Sequence, residues 1–233
     1  SNKKSEYKYY GYEIVALSVK TAEQLGIPVT EGQQMVHMSG RKGQYINTDV
    51  VLDKLFAKAL EETKKRNPKE KEELLKQIAE KIAVAALRYE LTKISPEKIL
   101  VFDLDEALKL EGNTGPYLQY AYTRCAGILR KAGAWREFFE EVEKLTLPEK
   151  NLLRELSSFP EIVQKAAREL RPHIICNYAY DLVKTFNNFY ESTPVLKAEK
   201  ENLKNFRLTL VKATKEVLRS TLNLIGIEVM EKM

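Results

Sequence analysis

From about residue 48 apolar residues recur at three- and four-residue spacing, and past residue 102 no strand-like alternation returns. Val51, Leu55, Ala59 and Leu60 form one such set; Leu74, Ile78, Ile82, Ala85 and Tyr89 a second; Leu203, Phe206, Leu210, Ala213 and Val217 a third. That period puts each set on one face of a helix. A stripe of this kind is buried only against another element, so a chain dominated by such stripes must pack helix on helix. Helices are expected over about 48–66, with Thr48 or Asp49 as cap, and over 69–93, with Asn67-Pro68 as the break between them. The charge run from Glu61 to Lys76 reads as the solvated tip of this hairpin. Further helices are expected to end at Gly133, then to cover about 135–145, 148–157, 159–171, 173–191 and 197–225, with Gly226 as the last stop.

The first 47 residues read differently. YEIVALSV, residues 12–19, has the β-branched and apolar content of a strand. Thr21 is placed to cap a short helix closed by Gly26 and Pro28. Glycines 32, 40 and 43 then mark a mobile loop. Residues 94–112 read as a connector. The fold expected is therefore mainly α: a helical bundle attached to the tail end of an α/β unit.

Composition removes several classes. No run of 18 apolar residues occurs, so no membrane-spanning segment is expected, and the opening residues do not read as a signal peptide. The net charge of +5 is a mild excess that suits a polyanionic partner only where the positive charges cluster. Cys125 and Cys176 sit among apolar neighbours and read as buried free thiols. His173 and Cys176 are three apart on a helix, but zinc needs four ligands, and no metal site is expected. No P-loop, nucleophile-elbow or H-E-x-x-H pattern is present.

Two stretches carry chemistry. In MSGRKG, Ser39 and the amides around Gly40 and Gly43 are suited to an anion, and Arg41 and Lys42 add charge. An exposed basic turn is the plain alternative. In GNTGPYLQYAYTRCAGILRK, residues 112–131, the apolar face is Leu118, Ala121, Cys125 and Ile128. A second face, about 100° away, carries Tyr117, Tyr120, Arg124, Gly127 and Lys131. Such a face offers rings for base stacking and cations for phosphates, or else a half-buried seam against another helix.

Two segments together resemble a known family. EGNTGPYLQYAYTR is similar to the signature helix of the anticodon-binding domain of arginyl-tRNA synthetases, and VHMSGRKGQYINTDVVLD is similar to their ATP-loop region. ALRYEL at 86–91 resembles the D-A-L-R segment that names this domain, and FNNFYE with GIEVMEKM resembles its last helices. The resemblance extends from about Tyr7 onward. It argues against the related domains of cysteinyl and glycyl enzymes.

The resemblance implies a class I enzyme that joins arginine to tRNA(Arg) at the expense of ATP with magnesium. It implies a division at residue 47: residues 1–47 as the end of the catalytic Rossmann domain, and 48–233 as the anticodon-binding domain. HMSGR, residues 37–41, stands where the family has K-M-S-K-S, with His37 and Gly40 in place of lysines. Ser39, Arg41 and Lys42 are the expected contacts to the ATP phosphates. No H-I-G-H stretch is present, so this chain is expected to be the later portion of the enzyme and inactive alone. The expected anticodon contacts are Asn113, Tyr117, Tyr120, Arg124, Asn187, Tyr190 and Met233, with Gln119 facing either the RNA or the core. The expected partners are the tRNA(Arg) anticodon stem-loop and the remainder of the synthetase, with no DNA and no membrane, in a cytoplasmic monomer. The alternative is a helical tRNA-binding or protein-interaction module with no enzymatic role.

Overall fold

Val15–Ser18 form strand β1, and the chain turns directly into helix α1, Val19–Gln24. Ser18 caps that helix by accepting from the Thr21 amide at 3.1 Å. Thr21, the expected cap, is instead buried, and its hydroxyl accepts from the Leu104 amide at 2.9 Å. The computed structural model describes residues 7–38, 45–138, 142 and 144–233. Within the stretch expected to be only a loop, Met35–His37 form β2, antiparallel to β1. Within the expected connector, Leu100–Phe102 form β3, parallel to β1, so the sheet order is β2-β1-β3. Parallel pairing requires a long crossover. Two helices supply it: α2, Thr48–Arg66, and α3, Glu72–Lys93. Asp103 then caps a single turn, α4, Leu104–Ala107. Leu17, Val36, Leu100 and Phe102 from the sheet bury against Leu55, Ala83 and Ala86 of the crossover helices. Asp105 locks the join, accepting from Gln24 at 3.0 Å and pairing with Lys20 at 2.7 Å and with Lys58.

The α2–α3 hairpin forms where expected, with local corrections. Asn47, not Thr48 or Asp49, caps α2 by accepting from the Asp49 amide at 3.1 Å. The buried face of α3 runs through Leu75, with Leu74 exposed. At the tip, Lys64–Glu72 and Lys65–Glu61 pair in solvent, where such pairs contribute little.

Helix α5, Gly115–Ala132, is capped by Thr114, whose hydroxyl accepts from the Tyr117 amide at 3.2 Å. It begins in contact with α3. A Cβ on Gly115 would sit 2.3 Å from the Ala85 carbonyl oxygen, so only glycine fits there. Leu118, Ala121, Cys125 and Ile128 are buried as expected. Their core is completed by α6, Leu147–Glu169, α7, His173–Ser192, and α8, Glu201–Leu224. Fully burying each Leu or Phe here contributes about 1.5–3 kcal/mol. Cys125 and Cys176 are both buried free thiols, and burial pushes Cys176 up to about 12.

Three expectations fail in this half. The described residues of 135–145 are not helical. Trp135 leans on the core and the Phe138 amide donates to Thr209. The helices expected over 148–157 and 159–171 are one helix, with Pro160 inside it. Pro160 is exposed, so the carbonyl it leaves unbonded one turn earlier is open to hydration. The buried face of α8 runs through Leu208, Leu210, Val211, Leu218 and Leu222; of the expected stripe only Leu210 is buried, with Phe206 and Val217 packed at the edge of the core. Thr214 and Thr221 share that face because each hydroxyl donates to its own helix, at 2.9 Å to Leu210 and 2.6 Å to Val217.

An ion pair lies inside the bundle. Arg207 Nε donates to Glu149 Oε1 at 2.8 Å, and Nη1 donates to the Pro194 carbonyl at 3.1 Å. Glu149 Oε2 accepts from the Thr146 amide at 2.7 Å, completing a capping box at the start of α6. Against the upward push of burial, these donors hold the Glu149 carboxyl below its ordinary value.

Candidate nucleic-acid interface

The outer face of α5 divides into two neighbourhoods. Tyr117 and Arg124, two turns apart, lean toward α7. The Asn187 side chain joins them: its Nδ2 donates to the Tyr117 hydroxyl at 2.8 Å, and its Oδ1 accepts from Arg124 Nη1 at 3.2 Å. The Arg124 guanidinium lies 4.9 Å from the centre of the Tyr190 ring, which stacks in turn on buried Phe186. The Tyr117 ring tilts against Tyr180, and burial raises its hydroxyl above the ordinary value. Lys184, one turn along α7, sits over the Tyr180 ring at 5.5 Å. The expected residues Tyr117, Arg124, Asn187 and Tyr190 are therefore brought together, with the polar groups of the first three already partnered.

Tyr120, on the same outer face, is turned away from α7 toward α2. Its side chain is 44% exposed and makes no hydrogen bond among the described residues. It lines a cleft of about 410 Å³ between α2, α5 and the loop after α4. The floor is apolar, with Ala59, Ile82, Leu108 and Met233, and the rim carries Lys58, Arg66 and Lys109 beside Glu62 and Glu111. Met233 thus lines the same cleft as Tyr120, although it lies more than a hundred residues away in sequence. Of the three cations, Lys58 is paired with Asp105 and Lys109 with Glu106 at 2.7 Å, while Arg66 makes no ion pair among the described residues. An apolar cleft with an aromatic ring on its wall and an arginine at its rim accepts a planar ring that carries negative charge alongside.

Asn113 belongs to neither neighbourhood. It lines a separate hollow with Lys93, Glu106 and Thr114. The Tyr89 hydroxyl proton is shared between its Oδ1 and the Cys176 carbonyl, and its own carbonyl accepts from Lys93 Nζ at 2.9 Å. Gln119 faces inward and is fully buried. Gly115 serves the approach of α5 to α3. Ser39, Arg41 and Lys42 lie outside the described residues. Sequence reasoning missed Lys58, Arg66 and Lys109 at the cleft, because they come from segments that read only as charged helix surface and connector. Among the described residues no group of three His, Cys, Asp or Glu is placed to hold a metal, and no helix is long and apolar enough to cross a membrane.

Residues 118–233, which include Tyr120, Arg124, Asn187, Tyr190 and Met233, match the DALR anticodon binding domain. In sequence the chain is 44% identical over 207 residues to the arginine–tRNA ligase of Pyrococcus furiosus, a match covering 84% of this chain and 32% of that protein. It is 39% identical over 236 residues to the arginine–tRNA ligase of Pyrococcus abyssi, covering 99% of this chain and 37% of that protein. In structure it is similar to Thermus thermophilus arginyl-tRNA synthetase, with a TM-score of 0.79 and 34% identity, covering 95% of this chain and 35% of that one. For the arginyl-tRNA synthetase of Plasmodium falciparum the TM-score is 0.70 at 27% identity, covering 81% and 34%. The chain spans about a third of the length of these relatives. Residues 118–233 are a DALR anticodon-binding domain, and over most of its length the chain is a homologue of the arginine–tRNA ligases.

Proposed function

We propose that this chain is part of an arginine–tRNA ligase and binds the anticodon stem-loop of tRNA(Arg) across the outer face of α5. The observation that carries the reading is the Tyr120 ring, exposed and without a hydrogen bond among the described residues, on the wall of a cleft that has Arg66 at its rim. Loop bases are already unstacked, so stacking on such a ring costs the RNA little. Tyr190 and Arg124 extend the surface toward α7, and Met233 closes the slot. Tyr117 and Asn187 hold Arg124 in place. Asn113 steadies the loop that precedes α5.

In the whole enzyme, residues 1–47 would complete the catalytic fold and 48–233 would deliver the tRNA. Ser39, Arg41 and Lys42 would meet the phosphates of ATP and its magnesium. The remainder of the synthetase would supply the arginine pocket. The similarity of VHMSGRKGQYIN to the family's ATP loop supports this assignment.

Titration of tRNA(Arg) against wild type and Tyr120→Ala tests the reading. The variant should keep its melting temperature and bind about 1–3 kcal/mol more weakly. Equal affinity would remove Tyr120 from the interface. Affinity indifferent to salt would remove RNA altogether, because phosphate neutralisation imposes a steep slope.

A further inference from the structure

Residues 225–233 have no secondary structure after the turn that ends α8, yet Ile225, Ile227 and Met230 are buried. The segment is held by these side chains, by an ion pair between Glu228 and Lys81 at 3.0 Å, and through its own backbone. Gln119 Nε2 donates to the Glu228 carbonyl oxygen at 2.8 Å and to the Lys81 carbonyl at 3.2 Å. The Thr123 hydroxyl lies 2.8 Å from the Met230 carbonyl oxygen and 3.1 Å from that of Gln119. The Tyr122 hydroxyl donates to the Glu231 carboxylate at 2.9 Å, and Lys215 pairs with the same carboxylate at 2.7 Å. Where the tail departs, Gly226 has φ 71° and leaves room for the Arg88 guanidinium, which a Cβ would meet at 2.3 Å.

Tyr120 lies between Gln119 and Thr123 on α5. The turn of helix that presents the ring to the cleft therefore also holds the tail that ends in Met233, beside the same cleft. We infer that Gln119 and Thr123 are positioning residues that set the gap between the Tyr120 ring and the tail, and so select which loop bases the slot admits. The inference rests on the reading of this cleft as an anticodon site. Bonds to main-chain carbonyls fix where the tail runs whatever side chains it carries. A displaced tail changes the shape of the slot but not the charge of Lys58, Arg66 and Lys109 around it. Loss of either bond should therefore appear in discrimination between bases and not in the salt dependence of binding.

The experiment titrates synthetic anticodon stem-loop RNAs, differing at one loop base at a time, against wild type, Thr123→Val, Gln119→Met, Tyr120→Ala and Thr214→Val. Thr214→Val removes a buried hydroxyl that bonds only its own helix, and so controls for general loosening. Thr123→Val and Gln119→Met should each shrink the affinity ratio between best and worst loops by about fivefold, the value of one lost hydrogen bond. The slope against salt should stay as in wild type, and Thr214→Val should keep the wild-type ratio. If Gln119→Met does not fold, Thr123→Val, at a half-buried position, carries the comparison. An unchanged ratio in Thr123→Val, with weaker binding in Tyr120→Ala, overturns the positioning role and leaves the cleft standing. Unchanged binding in Tyr120→Ala removes the cleft and the inference together. A wild type that does not discriminate among loop bases also overturns it.

Discussion

Arg207 and Arg124 are two arginines of one bundle, and their surroundings differ in one decisive respect. Arg207 is 6% exposed, bonded to a carboxylate and to a main-chain carbonyl. Arg124 is half-exposed, bonded to an amide oxygen and laid over a ring. No carboxylate lies within ion-pair distance of Arg124 among the described residues. The fold neutralises the first charge and only orients the second. Orientation without neutralisation is what a polyanion requires: the guanidinium is held still, and its field is left for a phosphate to meet.

Breaking the interior pair should have the largest effect. Arg207→Ala leaves Glu149 buried without its cation and should lower unfolding free energy by about 3–5 kcal/mol, read by denaturant titration. Its pH dependence sharpens the point. Glu149 has a folded-state value below its unfolded one, so its contribution is complete above about pH 4.5 and is lost as pH falls through the folded value. In Arg207→Ala the same carboxylate keeps its bond from Thr146 but loses its cation, so burial weighs more on the charged form and protonation brings relief. The gap in stability between variant and wild type should therefore narrow between pH 7 and pH 4. A gap that stays constant would mean that packing, not charge, is what Arg207 supplies.

Arg124→Ala should do the opposite. Its stability should change by no more than the weak cation–π contact, about 0.5–1 kcal/mol. Its tRNA binding should lose about one unit of slope against log salt. A wild-type slope would place Arg124 on the structural side of the comparison, with Arg207. The smallest effect is expected for Tyr117→Phe, which removes only the hydroxyl that accepts from Asn187. About 1 kcal/mol or less of stability should go, and tRNA affinity should remain. A drop in affinity as large as that of Tyr120→Ala would make Tyr117 a direct contact after all.

How far these roles were legible in the sequence follows from what each residue competes with. Asn67-Pro68, Gly133 and Gly226 are strong local breaks, and the helices they bound form where expected. Pro160 is as strong a signal in one dimension, but its cost depends on which side of the helix faces water, and that is a tertiary fact. The α8 stripe was misplaced for a related reason. Thr214 and Thr221 read as polar, yet each spends its hydroxyl on its own helix and buries as easily as an apolar residue. Strands of three residues, β2 and β3, are too short to show alternation, and only pairing with β1 reveals them. At the interface, spacing placed Tyr117, Tyr120 and Arg124 on one face correctly. It had no means to show that α7 would claim two of them and leave the third to the cleft.

The missing side chain at Gly115 bears on that division. It lets two helices touch backbone to backbone at one point, with Ala85 seated against a bare α-carbon. A contact of this kind acts as an angular index. Turning α5 on its axis would drive a neighbouring side chain into the Ala85 carbonyl, so the helix has one setting and not a range. A turn of about 100° would carry the Tyr120 ring to where Ala121 now packs, and would swing Gln119 and Thr123 away from the tail. The aim of the aromatic ring is thus fixed at a place that no ligand touches, by an atom that is absent.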